Sequence, residues 1–330
     1  MKKTTKILSV LLALMMVLPL FGCSKKTEAG TDINMAVLSG PTGIGASVLM
    51  EQNENGETAN HYTFTVAAAN DEVTAGLLNG SLDIAAVATN VASNLYNKSE
   101  GDICILALNT LGVLYLLENG DTVHSVADLA GKTVLSAGQG ANPEFVFEYI
   151  LTQNGLTYST DGSEADVQIE FKAPDEITAA MVSGTADLCL LPVPAVTAVL
   201  VQNKDVRQAL DLTEEWNKVA GGQLTMGSIV ARREFVEAHP KAVALFLEEY
   251  AASIEAVKAD PAHAGELCET FGIVPKAAIA TKAIPSCNLV CITGEEIRTT
   301  IEPYYGVLFA ANPASVGGAL PGDDFYYVGK

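Results

Sequence analysis

Several short stretches carry residues suited to holding a small molecule rather than transforming one. Ser39-Gly40-Pro41-Thr42-Gly43 sets glycines and two hydroxyls after an apolar run, so backbone can approach a ligand while Ser39 and Thr42 donate to it. Thr89 and Asn90 are polar residues directly after the apolar Ile84–Ala88. Gly138-Gln139-Gly140-Ala141-Asn142 precedes an expected helix and has the composition of an anion-cradling turn, but lacks the lysine of a nucleotide-phosphate loop. Asn109, Thr110 and Thr225 stand where long apolar runs end, with Gln223 and Met226 as weaker candidates. Pro192, in Pro192-Val193-Pro194, suits a wall better than a donor. The chemistry on offer is non-covalent: helix N-termini with free N–H groups and partial positive charge, helped by neutral side chains. None of these stretches contains Lys or Arg, so an anion would be held by dipoles, and a neutral heterocycle fits equally.

No catalytic set is legible. His61, His124, His239 and His263 all fall in expected loops or helix ends, and no nucleophile has a base at a readable spacing. There is no CxxC pair and no histidine at metal spacing, so neither a metal nor a cofactor is expected. Trp216, Tyr304 and Tyr305 could stack on a ligand, but read first as helix packing.

The elements that must position these residues alternate strand and helix. Ile33–Leu38, Tyr62–Ala67 and Ile84–Ala88 read as strands separated by helices at Gly43–Gln52 and Asp71–Leu78. After Ile103–Leu117, one long strand or two, the pattern restarts: strands at Lys132–Ser136, Val167–Phe171 and Leu188–Leu191, helices at Pro143–Gln153 and Ile177–Val182. The restart is a repeat. Asp71 to Ile84 (DEVTAGLLNGSLDI) aligns without gaps on Asp175 to Leu188 (DEITAAMVSGTADL). Asp71 and Asp175 are placed to cap a helix, Gly80 and Gly184 to end it, and Asp83 and Asp187 to open the next strand. Two units are too few for a solenoid. They predict two α/β lobes, each a mostly parallel sheet flanked by helices. Leu224–Arg232 then returns the chain to the first lobe, where helices at Glu234–Ala238, Lys241–Ala259, Ala262–Phe271, Pro275–Ile284 and Gly294–Ala311 complete it. The boundaries expected are 31–117 plus 227–330 for lobe 1 and 118–226 for lobe 2, joined by a hinge of two crossings.

The N-terminus reads as an export leader. Lys2, Lys3 and Lys6 precede an apolar run, Ile7–Phe21, too short to span a bilayer. Residues 1–22 resemble a bacterial lipoprotein signal peptide, with Cys23 as the lipid-attachment residue, although Phe21 stands where a small residue is usual. Residues 23–30 are polar and suit a tether. The net charge is −20, and removing the three leader lysines makes it more negative still, which excludes a nucleic-acid footprint. Cys104 and Cys189 sit in strand-like runs as core residues; a disulfide among Cys268, Cys287 and Cys291 is left open.

In this order the motifs resemble the nitrate/sulfonate/taurine-type substrate-binding proteins of ABC importers, a family that includes thiamine-precursor binders. The resemblance rests on Gly40-Pro41-Thr42-Gly43, on Gly80-Ser81-Leu82-Asp83-Ile84-Ala85, on Ser125 to Val134 (SVADLAGKTV) and on Phe235 to Val243 (FVEAHPKAV). It implies the type II periplasmic-binding-protein fold and an extracytoplasmic lipoprotein of the cell envelope. Such a monomer captures a small anionic or heterocyclic solute and delivers it to an ABC permease with its ATPase subunit. A ligand sensor without a permease, or an enzyme on the same fold like the menaquinone-pathway dehydratases, are the competing expectations. Fold alone does not choose between them.

Overall fold

A computed structural model describes residues 30–329. The leader, Cys23 and the tether up to residue 29 lie outside the described residues. No helix among the described residues is long and apolar enough to cross a membrane.

The first half-lobe runs β1 (Asp32–Leu38), α1 (Pro41–Ile44), α2 (Ser47–Glu54), β2 (His61–Ala67), α3 (Asn70–Asn79), β3 (Ile84–Ala88), α4 (Thr89–Lys98) and β4 (Ile103–Leu111). The single helix expected after β1 is two short ones, broken around Gly45. The second lobe follows as β5 (Leu114–Asn119), β6 (Lys132–Ser136), α5 (Asn142–Gln153), β7 (Tyr158–Ser159), β8 (Val167–Phe171), α6 (Pro174–Ser183), β9 (Leu188–Pro192), α7 (Ala195–Gln202), β10 (Val206–Asp211) and α8 (Leu212–Val219). The chain returns through β11 (Thr225–Arg232) to α9 (Arg233–Ala238), α10 (Pro240–Ala259), α11 (Pro261–Thr270), α12 (Ala277–Ala283), β12 (Leu289–Thr293) and α13 (Glu295–Ala311).

These strands form two six-stranded sheets, in the orders β12-β4-β11-β3-β1-β2 and β10-β5-β9-β6-β8-β7. The repeat read from sequence is now a topology. β2-β1-β3-β11-β4 in one sheet corresponds to β8-β6-β9-β5-β10 in the other. In each, the strand that has just arrived from the other lobe is antiparallel to both neighbours: β11 lies between β3 and β4, and β5 between β9 and β10. The sheets are therefore mixed, with parallel pairing kept among the βαβ strands. Central strands covered on both faces must be almost wholly apolar, and β4, β5 and β11 are buried except at their last residue.

β5 already belongs to the second sheet, so the first crossing falls at Gly112–Val113, a few residues before the 117/118 boundary expected. The apolar run Ile103–Leu117 hid it, because both strands are core strands and only Gly112 and Val113 separate them. At this point a Cβ on Gly112 would stand 2.2 Å from Thr213 Oγ1, so the crossing is packed tightly against α8.

Within the repeat, Gly80 and Gly184 end α3 and α6 with φ of 79° and 72°, as the spacing predicts. Asp71 and Asp175 do not cap. The helices begin one residue earlier, at Asn70 and Pro174, which leaves both carboxylates in the first turn near the positive helix end. In the second copy Glu176 performs the capping instead, accepting from the Ala173 N–H at 3.4 Å. Asp83 ties three strands together. It accepts from the Asn34 N–H (2.9 Å) and pairs with Arg232 (2.7 Å) at the far end of β11.

Trp216 packs rather than stacks on solvent-exposed ligand. It is fully buried, donates to the Gly222 carbonyl (2.9 Å), and lies between the rings of Tyr149 and Tyr304, with centroids 5.3 and 5.5 Å away. All five described cysteines are free thiols. Burial pushes those of Cys104, Cys189 and Cys287 up to about 12, so they remain inert core groups.

A Cβ on Gly80 would touch nothing within 4 Å, so only the left-handed backbone opposes a side chain there. Gly80→Ala should lose about 1 kcal/mol by urea unfolding; an unchanged midpoint would mean that the turn relaxes out of the left-handed conformation.

Candidate functional site

Hydrogen bonds at the ends of the strands link residues far apart in sequence: Thr42 with Asn109, Asn90 with Gly140 and Asn142, and Asn142 with Met226. Of the residues singled out from sequence, Thr42, Gly43, Thr89, Asn90, Asn109, Thr110, Asn142 and Thr225 are buried. Ser39, Gly138, Gln139 and Gly140 are exposed, while Gly40 and Pro192 are half-buried.

Asn109 and Thr110 serve the hinge. The Asn109 amide nitrogen donates to the Thr42 carbonyl (2.9 Å) and to the Tyr250 hydroxyl (3.0 Å), and its oxygen accepts from Thr110 (3.2 Å). β11 presses against this cluster through Gly227, where a Cβ would come within 2.4 Å of Asn109 Oδ1 and 2.5 Å of Thr42 Cγ2. Only glycine permits that approach.

Asn90 and Asn142 join the lobes. The Asn90 N–H donates to Asn142 Oδ1 (3.2 Å), and its side-chain nitrogen donates across to the Gly140 carbonyl (3.3 Å) and to the Ser315 carbonyl (3.3 Å). Asn142 returns a bond from its own nitrogen to the Met226 carbonyl (2.8 Å). Two hydroxyls from α13 complete the network: Tyr304 donates to Asn142 Oδ1 and Tyr305 to the Thr89 carbonyl, both at 2.7 Å. Burial raises both phenols far above their ordinary range, so they remain donors throughout the physiological range. Sequence reasoning placed Tyr304 and Tyr305 in packing. They do pack, yet their hydroxyl ends reach the interlobe network, which a helical pattern alone does not reveal.

Buried polar atoms normally have partners. Among the described residues, the side-chain oxygens of Thr89, Asn90 and Thr225 are buried with none, as are those of Ser47 and Thr213 and the Arg298 Nε. Three of these six atoms thus belong to residues selected from sequence as ligand contacts. Unsatisfied acceptors and hydroxyls at the meeting of two lobes are what a small polar molecule would satisfy.

The backbone turns behave differently from their sequence reading. The Ser39 N–H donates to the Ala67 carbonyl (2.9 Å), Gly40 to Ile273 (3.0 Å) and Gly43 to Gly40 (3.1 Å). The Gly140 N–H is taken by the carboxylate of Glu144, in the first turn of α5. One turn on, Glu148 borders a cavity of about 690 Å³ between α5 and α13, walled by Phe145, Tyr149, Pro303 and Val307. Burial, reinforced by the Glu144 charge, pushes the Glu148 carboxyl up to about 7. Among the described residues no group of three or more His, Cys, Asp and Glu side chains converges as a metal site.

Residues 103–264, from β4 through the whole second lobe and back into lobe 1, match the family model described as NMT1/THI5 like. The chain carries an NMT1/THI5-like domain. Comparison with curated proteins gives no match. Among solved structures, an ABC transporter protein from Parabacteroides distasonis superposes with a TM-score of 0.74 at 21% identity, covering 90% of this chain and 99% of the other. The periplasmic aliphatic sulphonate-binding protein SsuA of Escherichia coli gives 0.69 at 16%, covering 91% and 92%. The periplasmic nitrate-binding protein NrtA of Synechocystis PCC 6803 gives 0.57 at 14%, covering 81% and 74%. At these identities the likeness shows the fold: the NMT1/THI5-like domain is part of a two-lobed, type II periplasmic-binding-protein architecture.

Glu148 holds its proton more tightly folded than unfolded. Its contribution to stability is therefore complete below about 4.5 and lost as pH rises through about 7. Glu148→Gln should flatten the decline of the melting temperature across that window and raise it above pH 7. Parallel pH profiles for the two proteins would show that the group is not strained in the fold.

Proposed function

We propose that the chain is the solute-binding component of an ABC importer. It would be exported, held at the outer face of the cell membrane by lipid on Cys23, and act as a monomer that hands a small polar molecule to a permease and its ATPase. The observation that carries this reading is the set of buried, unpartnered oxygens on Thr89 and Asn90 of lobe 1 and on Thr225 at the return crossing, with Asn90 itself bonded to the Asn142 turn of lobe 2.

The physics of such a receptor follows from those groups. Each unsatisfied buried polar atom is costly, so a solute that supplies partners stabilises the form in which the lobes meet. A ligand that contacts both lobes binds that form better than an open one, and so shifts the population toward it. The hinge does not have to melt. β5 and β11 are anchored inside their sheets, and in this reading the lobes would pivot about residues 112–113 and 220–224. The inner contacts in this reading are Thr42, Thr89, Asn90, Asn142 and Thr225; Ser39, Gly40, Gly138, Gln139, Gly140 and Pro192 form the rim.

Thr89→Val and Thr225→Val remove hydroxyls that have no partner within the protein, so thermal stability should hold or rise slightly. Solute affinity should fall by roughly 3- to 10-fold for each, the worth of one neutral hydrogen bond. Small-angle scattering should show compaction on adding solute to the parent protein. A solute that binds with no change in the radius of gyration, and equally well to both variants, would remove the basis for capture between the lobes.

A further inference from the structure

We propose that the cleft selects an uncharged or cationic solute that donates a hydrogen bond, and discriminates against anions. This rests on the interlobe site being the ligand site, and it goes further by fixing the chemical class that site accepts.

The orientation of the Asn90 amide is the first support. Its nitrogen donates to two carbonyls, Gly140 O and Ser315 O, so its oxygen is turned away from them. That oxygen accepts only, and it is fully buried without a partner. A sulfonate, nitrate or carboxylate placed there would set oxygen against oxygen. A ring N–H, an amide N–H or an ammonium group would satisfy it. The Thr89 and Thr225 hydroxyls rotate to donate or accept, and so exclude neither class.

The second support is that several of the N–H groups an anion would draw on are already spent. Ser39, Gly40 and Gly43 donate to backbone carbonyls, the Asn90 N–H donates to Asn142 Oδ1, and the Gly140 N–H donates to Glu144. The last is the most telling. The turn that looks suited to cradling an anion already holds one, a carboxylate of its own chain.

The third support is charge. All four arginines are paired with carboxylates: Arg207 with Glu118, Arg232 with Asp83, Arg233 with Asp324 and Arg298 with Asp323. No arginine or lysine is present in the stretches that form the site, whereas Glu144 lies at its second-lobe rim and Glu148 one turn behind it. With a net charge of −20 over the whole chain, the field at the cleft repels anions before contact.

Calorimetric titration of the full-length chain in detergent decides this. The probes are nitrate and ethanesulfonate on one side, and uracil, nicotinamide and guanidinium on the other, all at up to millimolar concentration. At least one of the donor-bearing probes should bind, roughly 100-fold or more tighter than either anion, a gap of about 2.8 kcal/mol. In Glu144→Ala, which removes both the charge and the acceptor and so frees the Gly140 N–H, ethanesulfonate binding should rise about tenfold. Binding of either anion as tightly as the donors, or binding by none of the probes, overturns the preference. If a donor-bearing probe binds but Thr89→Val and Thr225→Val leave its affinity unchanged, the preference stands and the interlobe location fails.

Discussion

Both links between the lobes are made by strands embedded in a sheet rather than by free loops. β5 leaves lobe 1 and becomes an inner strand of the second sheet, and β11 leaves lobe 2 and becomes an inner strand of the first. Each is antiparallel to both neighbours, so its backbone groups are bonded on two sides and it cannot peel away without unmaking the sheet. This exchange knits each crossing strand into the interior of the sheet it joins. It also explains why Gly112 and Gly227 tolerate no side chain. One is pressed against Thr213 and the other against Asn109 and Thr42, where the exchanged strands must approach closely.

The buried polar groups near the ends of those strands divide into two kinds. Asn109, Thr110, Tyr250, Tyr304 and Tyr305 are fully committed to holding the hinge and the interlobe surface. Thr89, Asn90 and Thr225 keep oxygens in reserve. The distinction matters because burial has the same cost for both kinds, and only the second leaves something for a solute to repay. α13 belongs to neither lobe alone. Its Pro303 meets Gly222, Tyr304 meets Asn142 and Trp216, and Tyr305 reaches Thr89. α13 is thus a further contact between the lobes, beside the two crossings and the bonds of Asn90 to Gly140 and Asn142.

Much of this architecture was legible in the sequence, and the reasons for the gaps are physical. The βαβ strands were readable because central strands are continuous apolar runs, and α3 and α6 because glycine ends them at matching places. β10 was not readable: it is an edge strand whose buried positions are interrupted by Arg207, Gln208 and Asp211. β12, another edge strand, is mostly half-buried and carries no clean alternation. The capping role assigned to Asp71 and Asp175 was off by two positions, since the helices start at Asn70 and Pro174 with Ala69 and Ala173 at the caps. At the site, residue types indicated which segments converge, but not which groups remain available. That depends on pairings such as Gly140 with Glu144 and Asn90 with Asn142, which only the fold creates.

The central claim is that a solute is held between the lobes by the unpartnered oxygens. A crystal structure of the chain purified from its own cells, with whatever solute it retains, tests this most directly. The expected result is a small molecule within hydrogen-bonding distance of Asn90 Oδ1 and of the Thr89 or Thr225 hydroxyl, enclosed by the Asn142 turn. A solute seated instead in the cavity between α5 and α13, with those three oxygens still unpartnered, would contradict it.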